Sequence, residues 1–254
     1  MKPEVLDYIA AHREECLALL VRACSQPSVS ALHEGLDEMA ALVGEMLRGI
    51  GFEVDLVPTD GAPVVLGRMA GSGDRTLLLY NHYDVQPVDP LDEWETPPFE
   101  PTVRDGRLYA RGAADNKGAI VSRICALRAY LAHHDRPPVN IVWVIEGEEE
   151  TGSPYLAQFV ERYDDLLRTA YGCVWEAGGK DSRDRYTIAL GCKGLLYVEL
   201  RAREAARDLH SANAAIVGNP AWRLVWALST LKGPNENILI PGFYDDIRIP
   251  SAAQ

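Results

Sequence analysis

The hydrophobic pattern of the sequence predicts several amphipathic α-helices. In residues 5–24 the apolar side chains recur at helical spacing, and a Ser- and Pro-rich stretch at 25–30 ends the pattern. A second helix is predicted over residues 34–48, where Gly49 and Gly51 mark its end. Further helices are predicted over residues 117–132, 153–168 and 221–231.

Short apolar runs between turn residues predict β-strands. They cover residues 53–57, 64–69, 76–80, 139–145, 172–175, 186–190 and 195–203. The continuous apolar run 139–145 (VNIVWVI) is typical of a strand buried on both faces. Because helices alternate with buried strands, the sequence predicts an α/β fold with a mostly parallel sheet flanked by helices. The polar, Pro-rich stretch 84–107 is predicted to be a long loop, of the kind that is either functional or disordered.

Composition and charge exclude several classes of protein. The chain has 254 residues and a formal net charge of −12, whereas binding to nucleic-acid phosphates needs clustered Lys and Arg. No apolar run approaches the roughly 20 residues of a membrane-spanning helix, and the first residues lack the apolar segment of a signal peptide. The cysteines are widely spaced and form no CxxC pair, which predicts free thiols and a reducing cytoplasm. They are Cys16, Cys24, Cys125, Cys173 and Cys192.

Candidate chemistry first occurs directly after the apolar run 76–80. Ligand sites in α/β sheets lie at the carboxyl ends of parallel strands. His82 and Asp84 are two residues apart, so both project to the same face of an extended segment. One of them could bind a metal ion while the other orients the site. An ordinary polar end of a loop would also explain this pair.

Acidic residues occupy comparable positions later in the chain. Asp115 directly precedes a predicted helix, and a helix N-cap is the alternative explanation for it. Glu149 and Glu150 belong to the run EGEEE after the buried strand 139–145, where carboxylates repel one another unless cations neutralise them. A solvated loop is the alternative for this run. Glu176 follows the predicted strand 172–175.

Together, these residues predict a metal centre with imidazole and carboxylate ligands. Nitrogen and oxygen ligands without a thiolate favour Zn²⁺, with Mn²⁺ or Co²⁺ as alternatives. Several converging acids suggest two metal ions bridged by one carboxylate, together with a further acid that acts as general base toward a bound water. The nucleophile motif GxSxG and the zinc motif HExxH are both absent from the sequence.

Three stretches of the sequence resemble the M20 family of di-zinc metallopeptidases. They are HYDVQPVDPLDEWETPPFEPTVRDGRLYARGAADNKG, EGEEETGS and DLHS. The family includes cytosolic dipeptidases of the carnosinase type, aminoacylases, carboxypeptidases and succinyl-diaminopimelate desuccinylase, and HYDVQP with WxxxPFEP looks most like the dipeptidase branch. The resemblance implies a zinc-exopeptidase-like catalytic domain and a smaller α+β lid domain. It also implies hydrolysis of an amide bond in a dipeptide or N-acyl amino acid, and a homodimer formed through the lid.

The resemblance further implies the metal ligands. His82 matches a ligand of one zinc ion, and Asp115 matches the aspartate that bridges the two ions. Glu150 matches the ligand beside the general base, and Glu176 matches a ligand of the other zinc ion. Two Zn²⁺ ions per active site are therefore expected. In the family a cis peptide bond often follows the bridging aspartate, here Asp115–Asn116.

Catalytic roles follow from the same resemblance. Asp84 matches the acid that supports the site, and Glu149 matches the general base that deprotonates a zinc-bridging water and returns the proton to the leaving amine. Glu148 falls at a variable position. His210 in DLHS matches a lid histidine that steadies the oxyanion in the partner subunit's site, with a surface position in a polar turn as the alternative. Ala212 stands where the family usually has glycine.

The resemblance also divides the chain and leaves one ligand without a match. Residues 1–192 correspond to the N-terminal part of the catalytic domain, and residues 193–254 to the beginning of the lid. The family has a further histidine ligand far downstream, so the sequence is interpreted as an N-terminal fragment of a longer enzyme. The alternative is a truncated, catalytically inactive module that binds a metal or a peptide. A metal-free sugar or carboxylate binder is disfavoured, because the acids at the strand ends would repel an anion.

Overall fold

The protein divides into two compact units. The structure, a computed structural model, describes residues 3–176, 178–189 and 194–248. The first unit is Met1–Ile188 and the second is Ala189–Gln254. The domain boundary expected at 192/193 lies outside the described residues and stays a prediction.

The first unit contains the helices that the hydrophobic pattern predicts, with shifted ends. They are α1 (Pro3–Ala11), α2 (Arg13–Ser25), α3 (Leu36–Arg48), α4 (Lys117–Leu131), α5 (Leu156–Arg162) and α6 (Asp164–Leu167). The single helix expected over 5–24 is two helices, because His12 leaves helical geometry with φ of −109° and ψ of 23°. Its ring Nδ1 lies 2.8 Å from the Tyr8 carbonyl, and such local side-chain bonds compete with the regular helix. The helix expected over 153–168 is likewise interrupted, at Tyr163.

A five-stranded mixed sheet lies at the centre of the first unit. Its strands are β1 (Glu53–Val57), β2 (Val64–Met69), β3 (Thr76–His82), β6 (Asn140–Glu146) and β7 (Ala170–Val174), in the order β1-β2-β6-β3-β7. The strand β3 runs parallel to both β6 and β7, whereas β2 is antiparallel to both β1 and β6. The α/β class is therefore confirmed, but the sheet is more mixed than expected. The short connection from β1 to β2 explains the difference, since it allows a hairpin and not the crossover that parallel strands need.

Both faces of the sheet are covered by hydrophobic side chains. Ile141, Trp143 and Ile145 of β6 pack with the helices α3 and α4, while Val142 and Val144 pack on the opposite face near α5. This alternation confirms the prediction from the apolar run 139–145 that the strand is buried on both faces. The packing on both faces thus fixes the positions of β3, β6 and β7, and with them the positions of their carboxyl ends.

The remaining short strands lie outside this sheet. The stretch 84–107 contains a 3₁₀ turn at Leu91–Glu93, the strand β4 (Thr102–Arg104) and the first residue of β5 (Arg107–Tyr109), which pairs with β4. A second small hairpin joins β8 (Gly179–Lys180) to β9 (Tyr186–Thr187). The strand expected over 186–190 is therefore shorter, and its last residue lies outside the described residues.

The second unit contains α7 (Pro220–Leu231), close to the helix expected over 221–231. Asn219 caps it, because its side-chain oxygen accepts the Ala221 N–H at 2.9 Å and Pro220 occupies the first helical position. The strand expected over 195–203 was wrong: those residues have no strand geometry and no β-pairing partner among the residues described. Apolar content alone cannot make a strand, since a strand needs a neighbour for its backbone hydrogen bonds.

Two further predictions concern the cysteines and membrane-spanning helices. Cys16, Cys24, Cys125 and Cys173 are free thiols, as predicted, and Cys192 lies outside the described residues. No helix in the described part of the chain has the length and apolar character needed to cross a lipid bilayer.

Candidate metal centre

The predicted site residues of the first unit meet at one edge of the sheet. His82 is the last residue of β3, and Glu149 and Glu150 begin a 3₁₀ turn three residues beyond the end of β6. Glu176 lies two residues beyond the end of β7, and Asp115 lies two residues before the start of α4. Because β3, β6 and β7 run parallel, their carboxyl ends point the same way and bring these side chains together.

Two overlapping groups of side chains could each hold a metal ion. One group consists of His82, Glu149 and Glu176, and the other consists of His82, Asp115 and Glu150. Within each group the potential ligand atoms all lie within 4.8 Å of one another. His82 Nε2 is 3.0 Å from Asp115 Oδ1 and 3.9 Å from Glu149 Oε2. One imidazole surrounded by carboxylates, without a thiolate, is a donor set suited to Zn²⁺, Mn²⁺ or Co²⁺.

Asp84 is fully buried and holds two parts of the site in place. Its Oδ1 lies 3.2 Å from His82 Nδ1, and its two oxygens accept the backbone N–H groups of Glu149 at 3.2 Å and Glu150 at 3.0 Å. Donation from Nδ1 to a carboxylate leaves Nε2 free to face the other acids. Asp84 therefore orients both the imidazole and the turn that carries two further candidate residues.

The electrostatics of the site favour a positive charge at its centre. Burial lowers the pKa of His82, but the hydrogen bond to Asp84 and the charges of Asp84, Glu149 and Asp115 outweigh burial and raise it to about 9. Burial raises the pKa of Glu149, His82 lowers it, and the neighbouring acids raise it further. The acids hold a proton on the imidazole for the same reason that they would hold a metal cation beside it.

A second layer of polar contacts involves residues to which the sequence assigned no role. Glu146 at the end of β6 is buried, and it accepts hydrogen bonds from the Tyr80 hydroxyl at 2.5 Å and the Ser153 hydroxyl at 2.8 Å. Burial is also the main reason why the pKa of Glu146 is raised. The Tyr80 ring stacks on Trp175 with ring centroids 3.8 Å apart, directly before Glu176. These contacts link the ends of β3, β6 and β7 around the site.

Two glutamates of the acidic run have different surroundings. Glu148, predicted to be outside the chemistry, is only 5% exposed, and its Oε2 accepts the Ala62 N–H at 3.0 Å. It therefore fixes the connection between β1 and β2. Glu150 instead accepts a hydrogen bond from the exposed side chain of Gln86 at 2.8 Å. A lone glutamine four residues after His82 gives no sequence signal for this contact.

The remaining predicted residues have separate outcomes. The peptide bond Asp115–Asn116 is cis, as the resemblance implies. His210 belongs to the second unit and is exposed, and its Nδ1 accepts the Ala212 N–H at 3.1 Å at the start of the 3₁₀ helix Ser211–Ala215. Its expected role toward an oxyanion stays a prediction.

Comparison with known proteins identifies the family. Residues 78–245 match the protein family described as Peptidase family M20/M25/M40. This chain belongs to that peptidase family. The match includes all five candidate side chains at the sheet edge and extends into the second unit.

Individual relatives support the same assignment. The chain is 33% identical over 265 residues to a human protein named Beta-Ala-His dipeptidase, which covers 96% of this chain and 52% of that protein. It is 33% identical over 266 residues to a Cys-Gly metallodipeptidase of Schizosaccharomyces pombe, covering 96% of this chain and 55% of that one. A crystal structure of an M20 family metallo-carboxypeptidase from Sulfolobus solfataricus is similar with a TM-score of 0.86 and 42% identity, over 94% of this chain and 55% of that chain. The chain thus spans about half the length of the relatives it matches.

The contact of Gln86 with Glu150 leads to a first prediction. Gln86→Ala should weaken the affinity for a divalent cation by roughly 2- to 10-fold, the equivalent of one ordinary net hydrogen bond of about 0.5–1.5 kcal/mol. The affinity is measured by calorimetric titration in a metal-buffered solution. Gln158→Ala is the matched control, because Gln158 is also exposed and donates to a carboxylate, that of Asp60 at 2.7 Å, away from the site. Equal affinities of the two variants would contradict a role for Gln86.

Proposed function

We propose that this chain carries the catalytic centre of a metal-dependent dipeptidase that hydrolyses an amide bond in a dipeptide or N-acyl amino acid. The proposal rests on the position of His82 among four carboxylates. His82 and these carboxylates form two overlapping groups, and within each group the potential ligand atoms lie within 4.8 Å of one another. Membership of the M20 peptidases and the names of the relatives support the same reaction.

The donor set suits two divalent cations that share the site. His82, Asp115, Glu150 and Glu176 would hold them. Zn²⁺ fits this imidazole and carboxylate set best, and Mn²⁺ or Co²⁺ would fit it as well. When bound, the cations supply Lewis acidity, which polarises the scissile carbonyl and lowers the pKa of a water molecule.

The proposed roles of the protein groups concern proton transfer and orientation. Glu149 accepts a proton from the attacking water and delivers it to the nitrogen of the leaving amine, so that water and amide give a carboxylic acid and an amine. Asp84 keeps the proton of His82 on Nδ1, which leaves Nε2 available as a ligand. His210 would donate a hydrogen bond to the developing oxyanion in the partner subunit's site.

The arrangement of the whole protein is part of the proposal. Residues 1–192 would form the N-terminal part of the catalytic domain and residues 193–254 the beginning of a lid through which two copies associate. The free thiols of the described residues support a place in the cytoplasm. Gel filtration with light scattering tests the homodimer, and a monomer at micromolar concentration would contradict it.

Removal of metal tests the proposed function most directly. Dialysis against a chelator should abolish hydrolysis of a panel of dipeptides and N-acetyl amino acids, and addition of Zn²⁺, Mn²⁺ or Co²⁺ should restore it. The protein should also melt at a higher temperature with metal, because a cation that binds the folded state stabilises it. Turnover that persists without detectable metal would refute a metallopeptidase. Firm metal binding without turnover of any member of the panel would instead favour an inactive binding module.

A further inference from the structure

A buried polar network lies directly behind the candidate metal centre. Three side chains form it, and we call them the polar frame: Asn81, Asn116 and Arg123. Asn81 and Asn116 are fully buried, and Arg123 projects from α4 and is half-buried. Two of the three members adjoin a candidate ligand in the sequence: Asn81 precedes His82, and Asn116 follows Asp115.

The hydrogen bonds of the polar frame run from one ligand-bearing segment to the next. Asn81 Nδ2 donates to Asn116 Oδ1, and Asn81 Oδ1 accepts from Arg123 Nη1. Asn81 Oδ1 also accepts the Trp143 indole N–H at 3.0 Å, which ties the frame to the centre of the sheet. Arg123 Nη2 donates to the backbone carbonyl of Glu176. The frame therefore connects the segments around Asp115, His82 and Glu176.

Arg123 acts at the point where the sheet stops joining two of these segments. The β3–β7 pairing ends at Leu79 and Val174, so among the described residues no further ladder bond holds the segment of Glu176 beside that of His82. Arg123 Nη1 donates to the Tyr80 carbonyl at 2.7 Å while its Nη2 binds the Glu176 carbonyl. The planar, forked guanidinium can hold two carbonyls at a fixed separation, which a lysine ammonium cannot do in the same way. The two hydrogen bonds of Arg123 take the place of the next backbone hydrogen bond between β3 and the segment after β7.

The backbone of Glu176 needs such support. Its φ is +29°, in the left-handed region that L residues other than glycine seldom adopt. Val174, the last residue of β7, is 43% exposed, and Trp175, whose ring stacks on Tyr80, is 55% exposed. Packing therefore constrains this segment only in part, and the bond from Arg123 fixes the carbonyl of the residue whose carboxylate faces His82.

We propose that Arg123 is a positioning residue of the metal centre: by holding the Glu176 carbonyl against the end of β3, it sets the distance between Glu176 and His82. The inference rests on the proposed function, because it takes Glu176 as a ligand. The group formed by His82, Glu149 and Glu176 depends on this distance, so the affinity for an ion held there should depend on it as well, whereas Asp115 and Glu150 of the second group lie on other segments.

Metal titration of the whole chain and of two variants, each with one arginine replaced by methionine, tests the inference. Arg123→Met should bind one divalent ion as the wild type does and the other roughly 10-fold more weakly, the lower end of the effect of removing a residue that orients a metal ligand. At limiting metal its kcat should fall with little change in KM, and excess metal should restore it. Arg128→Met is the matched control: Arg128 lies on the same helix and binds Glu15 at 2.6 Å, away from the site.

The readouts separate the possible failures. If the wild type binds no divalent ion, the proposed function itself fails. If Arg123→Met melts at a lower temperature without metal but binds both ions as tightly as Arg128→Met, the role of Arg123 is structural and the inference is overturned. Should Arg123→Met not fold, Arg123→Lys replaces it. Weakened binding of one ion by that variant supports the inference, and wild-type binding of both ions overturns it.

Discussion

Replacing Glu149 by glutamine is expected to lower kcat for dipeptide hydrolysis by roughly 10²- to 10⁴-fold, the usual contribution of a positioned general base. Glutamine keeps the shape of the side chain and one oxygen, but it cannot take a proton from water. The backbone N–H of residue 149 would still donate to Asp84, so the turn should keep its place. Steady-state kinetics on a dipeptide, with metal content measured on the same sample, checks this result.

The metal content decides between two roles for Glu149. Its carboxylate belongs to the group formed with His82 and Glu176, so a ligand role is the alternative to a base. A variant that loses kcat but keeps its metal supports the base. A variant that loses one metal equivalent, and whose kcat recovers in excess metal, would show that Glu149 is a ligand.

The neighbouring glutamate provides the control for this experiment. Glu148 is buried and binds the Ala62 N–H, and Ala62 lies in the connection between β1 and β2. Glu148→Gln should therefore lower the melting temperature and leave kcat within a few-fold of the wild type, since one ordinary hydrogen bond has a net value of about 1 kcal/mol. Equal losses of kcat in both variants would mean that the whole acidic turn, and not Glu149 alone, had been disturbed.

The sequence allowed the sheet-edge site to be predicted because its signals are local. Each candidate side chain of the first unit directly follows an apolar run or precedes a helix, and the gaps between them match strand–helix–strand units. The continuous apolar run of β6 also reveals burial on both faces without any knowledge of its neighbours. The order of the strands, in contrast, could not be predicted from such local signals. The antiparallel placement of β2 beside β6 joins residues 72 to 80 positions apart in the chain, and no periodicity of either strand encodes it.

The polar frame could not be predicted for a related reason. From the sequence, Asn81 is only a polar residue at the end of a strand. Arg123 lies in the helix α4, and the apolar residues of α4 are enough to explain why that helix packs on the sheet. Their function depends on a contact with the carbonyl of Glu176, 53 residues after Arg123, and a backbone carbonyl leaves no trace in the residue types. Asp84 is an intermediate case: its support of His82 followed from the two-residue spacing, but its bonds to the turn at 149–150 did not.

Asp84→Asn should have a double effect because three N–H groups share two carboxylate oxygens. The donors are His82 Nδ1 and the backbone N–H groups of Glu149 and Glu150. An amide has one oxygen, so in either orientation its NH₂ group faces at least one of these donors. A buried donor left without an acceptor costs about 1–3 kcal/mol of the free energy of unfolding.

The metal centre should be weakened at the same time. If the amide NH₂ faces His82, it favours the tautomer with the proton on Nε2, the atom that would bind the metal; if it faces the turn, it displaces Glu150. Either way, we expect the affinity for the metal to fall by roughly 10- to 100-fold. Denaturant unfolding of the metal-free protein and metal titration measure the two effects separately.

Asp55→Asn is the matched control for this substitution. Asp55 lies on β1 and pairs with Arg68 at 2.7 Å, and half of its side chain is exposed. A surface ion pair of this kind contributes little to stability, so Asp55→Asn should change neither the free energy of unfolding by more than about 1 kcal/mol nor the metal affinity. If Asp84→Asn behaved like this control in both measurements, Asp84 would not be orienting His82. If it lost stability but kept full metal affinity, Asp84 would support the fold of the turn and not the ligand set.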